Sequence, residues 1–248
     1  MSHRMFEALR AGLGFLTTIP VGFSINGLED LADNMYIYVI IGAFIGFLIG
    51  IIGWTLSLLP SVNVFLQSSI IVVALYSITG FIHLDGLVDM GDGLLKHGTM
   101  EERRKVIKEP YVGVGGIAFC VLSFLLLFAG IISVRNVLLP ALITAEISGK
   151  LSMVELASFG KATHKGLGSL FSERSTPITF VIALILAFLV SFVCLSWKGV
   201  VGLISATIFA GGLLKLADVS FGGISGDVIG SSNELGRVVA LIAISLFR

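Results

Sequence analysis

Repeated apolar runs, each close to the thickness of a bilayer, constrain this chain more than any other feature. A helix needs roughly 20 predominantly apolar residues to cross the hydrocarbon core. Met35–Leu59, Val62–Ile82, Val112–Val134, Val137–Phe159, Pro177–Trp197 and Gly199–Leu216 all approach or exceed that length. They read as helices and not as outer-membrane strands, which would alternate polar and apolar residues. Only 13% of the 248 residues are charged, against about 25% in a soluble domain. The expected fold is therefore all-α: a polytopic integral membrane protein with about six to seven transmembrane helices, forming one multi-pass domain over residues 1–248. Val238–Phe247 is apolar but short. It spans only if its helix starts near Val228, and then Glu234 and Arg237 must face protein.

Local signals refine these runs. Gly42, Gly46 and Gly50 recur every four residues, a small-residue face for close helix packing. Pro177 suits the first turn of a helix. Met1 to Ser24 has a basic start and a short apolar patch without a convincing cleavage site, and reads as a retained, partly amphipathic segment at the membrane face. Cys120 and Cys194 lie inside apolar runs and read as packing residues. Net charge is zero, so nothing points to nucleic acid.

With the N-terminus cytoplasmic, Arg4, Arg10, Lys96, Arg103, Arg104, Lys105, Lys108, Lys161, Lys165 and Arg174 fall inside. Arg135, Lys198 and Arg248 fall outside. The positive-inside rule favours this orientation. It places three stretches on one cytoplasmic side: a polar loop from Asp85 to Pro110, a second from Gly160 to Thr176, and Ser220 to Gly230. The cell membrane is the expected location, with the site facing the cytoplasm.

The chemistry concentrates in His83–Gly93, HLDGLVDMGDG. Asp85, Asp89 and Asp92 are spaced four and three apart and share one face if the run is helical. Such carboxylates repel unless a cation bridges them, and Mg²⁺ is the usual choice where phosphates are handled. The bland alternative is a solvated acidic loop. Asp85 and Asp89 are expected as metal ligands, and Asp92 as a ligand or as the base that takes a proton from an attacking hydroxyl. His83 is read either as a catalytic residue or as a helix-end cap.

Basic residues follow at once. As a helix, EERRKVIK brings Arg104 and Lys108 together. They face anionic lipid or a diphosphate, and the two roles are compatible. Lys96, Arg103, Arg104 and Lys108 are the substrate-binding candidates, with Gly226. Tyr111–Gly116 opens a span with glycines, whose free N–H groups favour an anion, although helix packing explains such glycines more often. Within spans, Glu146 and Lys150, and Lys215 and Asp218, either neutralise each other between helices or mark a functional site. Asp227, in GGISGDVIG, is expected as a further carboxylate at the metal. His3, His97 and His164 show no metal-ligand spacing.

These residues resemble the family of cobalamin-5′-phosphate synthase, or adenosylcobinamide-GDP ribazoletransferase. Phe15-Leu16-Thr17-Thr18-Ile19-Pro20 is similar to its N-terminal motif. Thr79-Gly80 with His83-Leu84-Asp85-Gly86-Leu87-Val88-Asp89 and Asp92-Gly93 resembles its central signature. Glu102-Arg103-Arg104 and Val112-Gly113 to Gly116 resemble the segment that follows. Gly222–Asp227 with Gly230 resembles its C-terminal element. The chain departs from the pattern at Gly149-Lys150, where Ser-Arg is frequent, and at Glu109-Pro110, where an aspartate is usual. The resemblance implies an enzyme that moves the cobinamide phosphate group of adenosylcobinamide-GDP onto a ribose hydroxyl of α-ribazole or its 5′-phosphate. GMP is released and Mg²⁺ is required. The corrinoid implies a wide cavity open to the cytoplasm. The partners implied are these two substrates and the lipid bilayer, and a homo-oligomer is left open. Two other readings compete. A CDP-alcohol phosphotransferase would need wider aspartate spacing, and a cation-coupled transporter would need mid-span carboxylates and broken helices.

Overall fold

The computed structural model describes residues 3–22 and 24–247. Helices account for the regular structure among them, apart from one parallel bridge between Ala162 and Ile224. Six helices are long and apolar enough to cross a membrane: α3 (Ile37–Ser57), α7 (Val114–Ser133), α8 (Leu138–Phe159, entered through a 3₁₀ turn at Arg135–Val137), α10 (Pro177–Leu195), α11 (Trp197–Phe221) and α12 (Gly226–Ser245). A seventh crossing is made if α4 (Val64–Thr79) and α5 (Ile82–Leu95) count together; the two meet at 98°. The apolar α4 occupies the thickness of the bundle, and α5 turns away across its end.

The bundle is built around α8, which is buried along almost its whole length. That is why this span tolerates Thr144, Glu146, Ser148, Lys150 and Ser152: its polar groups face protein and never lipid. The glycine stripe of α3 lies directly on it. A methyl group on Gly46 would meet Ile143 Cα at 2.5 Å, and one on Gly42 the Glu146 carbonyl oxygen at 2.9 Å. The two backbones therefore touch, as the four-residue spacing predicts. By contrast α10 buries only Thr179, Ala183, Ala187 and Ser191, a single small-residue stripe, and turns large apolar side chains outward. Pro177 stands in its first turn behind a Thr176 cap, as expected.

Several boundaries differ from the sequence reading. The stretch after His83 is not a loop: α5 runs to Leu95 and is followed by α6 (Met100–Val106), which Thr99 and Glu102 start with a capping box. The second polar loop contains α9 (Leu167–Arg174). The last span does form, starting at Gly226 where Ser225 caps it, with Glu234 and Arg237 buried in protein. The N-terminal region forms α1 (His3–Leu16) and α2 (Ile25–Asp33), and Arg174 pins α2 to α9 through Glu29 and Asp33, both at 3.1 Å. Arg248, counted above for orientation, lies outside the described residues.

The corner between α4 and α5 has a specific cause. Gly80 sits at φ 64°, ψ −175°, a region that essentially only glycine occupies. The carbonyls left free at the end of α4 are taken by the N-terminal motif. Thr18 donates from its backbone N–H to Ile78 (2.7 Å) and from its hydroxyl to Ser77 (2.7 Å). The Phe15–Pro20 stretch is thus a strap that holds the corner from which α5 departs.

Candidate functional site

The end of the bundle where α5 lies collects the three polar stretches that the charge pattern had placed together. Ile224 donates to the Lys161 carbonyl at 2.8 Å and accepts from Thr163 at 2.9 Å. The Gly168 and Gly226 backbones touch, since a methyl on Gly168 would meet Gly226 N at 2.5 Å. A methyl on Gly86 would meet the Asp227 carbonyl oxygen at 2.7 Å, so α5 and the start of α12 are in backbone contact. Ser231 bridges them further, within 2.9 Å of the Gly86 carbonyl and 2.6 Å of the Asp227 carbonyl. The glycines of this region are there so that helices can approach, which puts carboxylates of two chain segments side by side.

Asp85 is exposed, and Asp89 and Asp227 are half-buried. Asp89 feels its neighbours: partial burial first, then the charges of Asp85, Asp227 and Asp92, push its carboxyl from 3.8 to about 6. Uncompensated negative charge of this kind, on hard oxygen donors, fits a divalent cation such as Mg²⁺. It does not form a closed cage. Among the described residues no three His, Cys, Asp or Glu side chains converge to hold one ion. The arrangement suits a cation held by one or two carboxylates and completed by phosphate oxygens and water, the habit of Mg²⁺.

Asp92 is engaged differently from the expectation. Its two oxygens accept from Gly113 N–H (2.6 Å) and Gly116 N–H (2.8 Å). It is the anion at the N-terminus of α7, and so it occupies the site that the glycine-rich Tyr111–Gly116 had offered to a phosphate. Both of its oxygens are thereby engaged at the start of that helix.

The cations divide into two sets. Arg104 and Lys108 line a small cleft with Thr163, His164, Gly223 and Ser225, and the Ser225 hydroxyl donates to Asp227 at 3.2 Å. Arg103 lies half-buried on the same short helix, whereas Lys96 is exposed beyond the end of α5. Lys105 is paired with Glu101 at 3.6 Å on the surface. Gly226 opens α12 and lines a cavity of about 290 Å³ together with His83, His164 and Asp227.

Below the site lies a buried polar network that sequence spacing did not reveal. Glu146 does not pair with Lys150. It forms an ion pair with Arg237, which also bonds Glu234 at 2.8 Å. Tyr76 donates to Glu234 at 2.7 Å, and Lys150 donates to Asn233 Oδ1 at 2.8 Å. Asn233 in turn contacts His83 Nδ1 at 3.3 Å. Lys215 and Asp218 form no pair and are exposed on α11. The signal for the network was the polar SSNELGR run inside the last span, but its partners lie 83 to 158 residues away in sequence.

Fold and site together define a multi-pass helical membrane protein with carboxylates and cations gathered at one end of the bundle. The description Cobalamin-5-phosphate synthase matches residues 8–245, and the chain belongs to that family. An adenosylcobinamide-GDP ribazoletransferase of Methanococcoides burtonii is 37% identical over 96% of this chain and 92% of its own length. Those of Methanosarcina barkeri (34%) and Methanosarcina mazei (37%) each cover 96% of this chain and 91% of their own length. No solved structure matches. The chain is thus a transferase of cobalamin synthesis, and the CDP-alcohol phosphotransferase and transporter alternatives are not favoured.

Proposed function

We propose that the protein transfers the cobinamide phosphate group of adenosylcobinamide-GDP to a ribose hydroxyl of α-ribazole or its 5′-phosphate. It does so with Mg²⁺, at the cytoplasmic face of the cell membrane. The observation that carries this reading is the meeting of Asp85 and Asp89 on α5 with Asp227 at the start of α12, beside the Arg104–Lys108 cleft.

The hydroxyl oxygen forms a bond to the cobinamide-side phosphorus, and the bond from that phosphorus to the bridging oxygen breaks. GMP leaves with the electron pair. Asp85 and Asp89 would hold the cation, which would supply charge neutralisation on the diphosphate oxygens. Arg104 and Lys108 pair with the diphosphate from the other side, the guanidinium in a two-pronged contact. Asp227 is the carboxylate of the group that also lines the cavity, and it takes the hydroxyl proton. Asp92 holds the N-terminus of α7 against α5 and fixes where Asp89 stands. A corrin macrocycle with its amide arms is far larger than the 290 Å³ cavity, so it lies on the open face of the site and not within this cavity.

The test is GMP release by purified, detergent-solubilised protein given adenosylcobinamide-GDP and α-ribazole. Release that needs both substrates and Mg²⁺ supports the reading. No release from folded protein overturns it.

A further inference from the structure

The cavity beside the carboxylates has two unlike sides. Phe15 stacks on Phe171 at 5.8 Å between ring centroids, and Tyr38 meets Phe171 edge-on at 5.7 Å. With Met153 these rings form an apolar wall suited to a flat aromatic group. Asp227 stands at the polar side, which places one end of any occupant against the reacting centre. At about 290 Å³ the space matches a nucleoside and excludes a corrinoid.

Two polar atoms of the cavity-lining residues have no protein partner, the Tyr38 hydroxyl and His83 Nε2. The Tyr38 hydroxyl is fully buried and makes no hydrogen bond. An unpartnered buried hydroxyl is costly unless something else satisfies it. His83 is 6% exposed, and its ring is held through Nδ1, which leaves Nε2 to the cavity.

The state of Nε2 follows from its neighbours. Lys150 has only donors to offer, so it fixes Asn233 with Oδ1 toward the ammonium. The Glu234 carboxylate only accepts, so it draws Asn233 Nδ2 toward itself at 2.9 Å. Both constraints give the same amide orientation. The second N–H of Nδ2 then points at His83 Nδ1, which must carry the lone pair. The proton of the neutral ring is on Nε2, and His83 presents a hydrogen-bond donor to the cavity.

We propose that this cavity binds the planar heteroaromatic base of the acceptor nucleoside. A ring nitrogen of that base accepts from His83 Nε2–H, and Lys150 and Asn233 act as positioning residues that lock the tautomer. The inference rests on the transferase reading above and assigns the acceptor's place within it. The base lies along the Phe15–Phe171–Tyr38 wall, and its ribose emerges at Asp227.

The test compares His83→Ala, His83→Gln and Asn233→Asp, with KM measured separately for α-ribazole and for adenosylcobinamide-GDP. Equilibrium dialysis of α-ribazole against Mg²⁺-free protein reads acceptor binding without turnover. Loss of one hydrogen bond in a buried pocket corresponds to about a tenfold rise in the α-ribazole KM and dialysis constant for His83→Ala. The adenosylcobinamide-GDP KM stays unchanged. His83→Gln, whose amide N–H falls near the Nε2 position, restores most of the loss. Asn233→Asp can only accept, so it moves the proton to Nδ1; ¹⁵N spectra of labelled histidine show the exchange and the α-ribazole KM rises alongside. If Asn233→Asp does not fold, the Ala and Gln pair and the parental ¹⁵N spectrum decide. The inference is overturned by a parental ring protonated at Nδ1, by Gln no better than Ala, or by a change in the adenosylcobinamide-GDP KM alone. Parental protein that releases no GMP removes the transferase reading and this inference with it. Parental turnover with an α-ribazole affinity indifferent to His83 removes the inference alone.

Discussion

Asp92→Asn and Asp89→Asn lie one helical turn apart in the same acidic run and should move stability in opposite directions. Asp92 accepts from Gly113 and Gly116 at 2.6 and 2.8 Å, at the positive end of α7. An asparagine can satisfy one of these N–H groups but turns its own amide N–H toward the other. One charge-assisted bond, about 1.5–3 kcal/mol, is lost together with a helix-dipole contribution of about 0.3–1 kcal/mol. The sum is about 2–4 kcal/mol, or a fall in Tm of about 4–16 °C for a chain of this size. Asp89 is the reverse case. Its carboxyl is raised to about 6, so the folded protein holds that proton more tightly than the unfolded chain. The resulting penalty is absent below 3.8, grows through the interval, and is present in full above about 6. Discounted for solvent screening at so open a group, it is about 1 kcal/mol at pH 7. Asparagine removes it, and the cation-free Tm should hold or rise by a few degrees. Thermal unfolding of solubilised, chelator-treated protein, followed by far-ultraviolet circular dichroism, separates the two variants. A parental Tm for Asp92→Asn, together with loss of cation binding, would refute the capping argument and return Asp92 to the metal.

Asp89→Asn should lose Mg²⁺-dependent GMP release while remaining folded, and near-parental turnover would remove Asp89 from the cation's ligands. Cation affinity should fall as pH drops through about 6, where protons compete for Asp89; Mn²⁺ binding followed by electron paramagnetic resonance between pH 5 and 8 checks this, and a flat profile contradicts it. Gly80→Ala should cost about 1–3 kcal/mol through φ 64° and not through crowding, because the nearest atom to its new methyl is Thr18 Cγ2 at 3.6 Å. Its expected mark is a lowered Tm with reduced turnover, as α5 shifts relative to α12, and an unchanged Tm would contradict the reading of the corner. Arg237→Leu leaves Glu146 and Glu234 buried without their cation and should cost about 3–5 kcal/mol, read as loss of monodisperse protein in detergent.

The sequence by itself determined the membrane architecture, because each span must satisfy its own backbone and therefore declares itself locally through length and hydropathy. Gly42, Gly46 and Gly50 announced a close helix contact for the same reason, that periodicity is local, and the structure supplied α8 as the partner. The gathering of three polar stretches at one end was also legible, since alternating crossings and the positions of Lys and Arg follow from chain order alone. Only the tertiary structure decided what each polar group does. Asp85, Asp89 and Asp92 look alike in sequence, yet Asp92 meets α7 at Gly113 and Gly116, while Asp85 and Asp89 are left to face Asp227. Glu146 and Lys150 have ideal spacing for a pair, yet each found a partner on α12, because a fully buried helix offers its side chains to every neighbour. Hydrogen bonds and ion pairs reward proximity in space, and in this bundle the partners stand up to 158 residues apart along the chain.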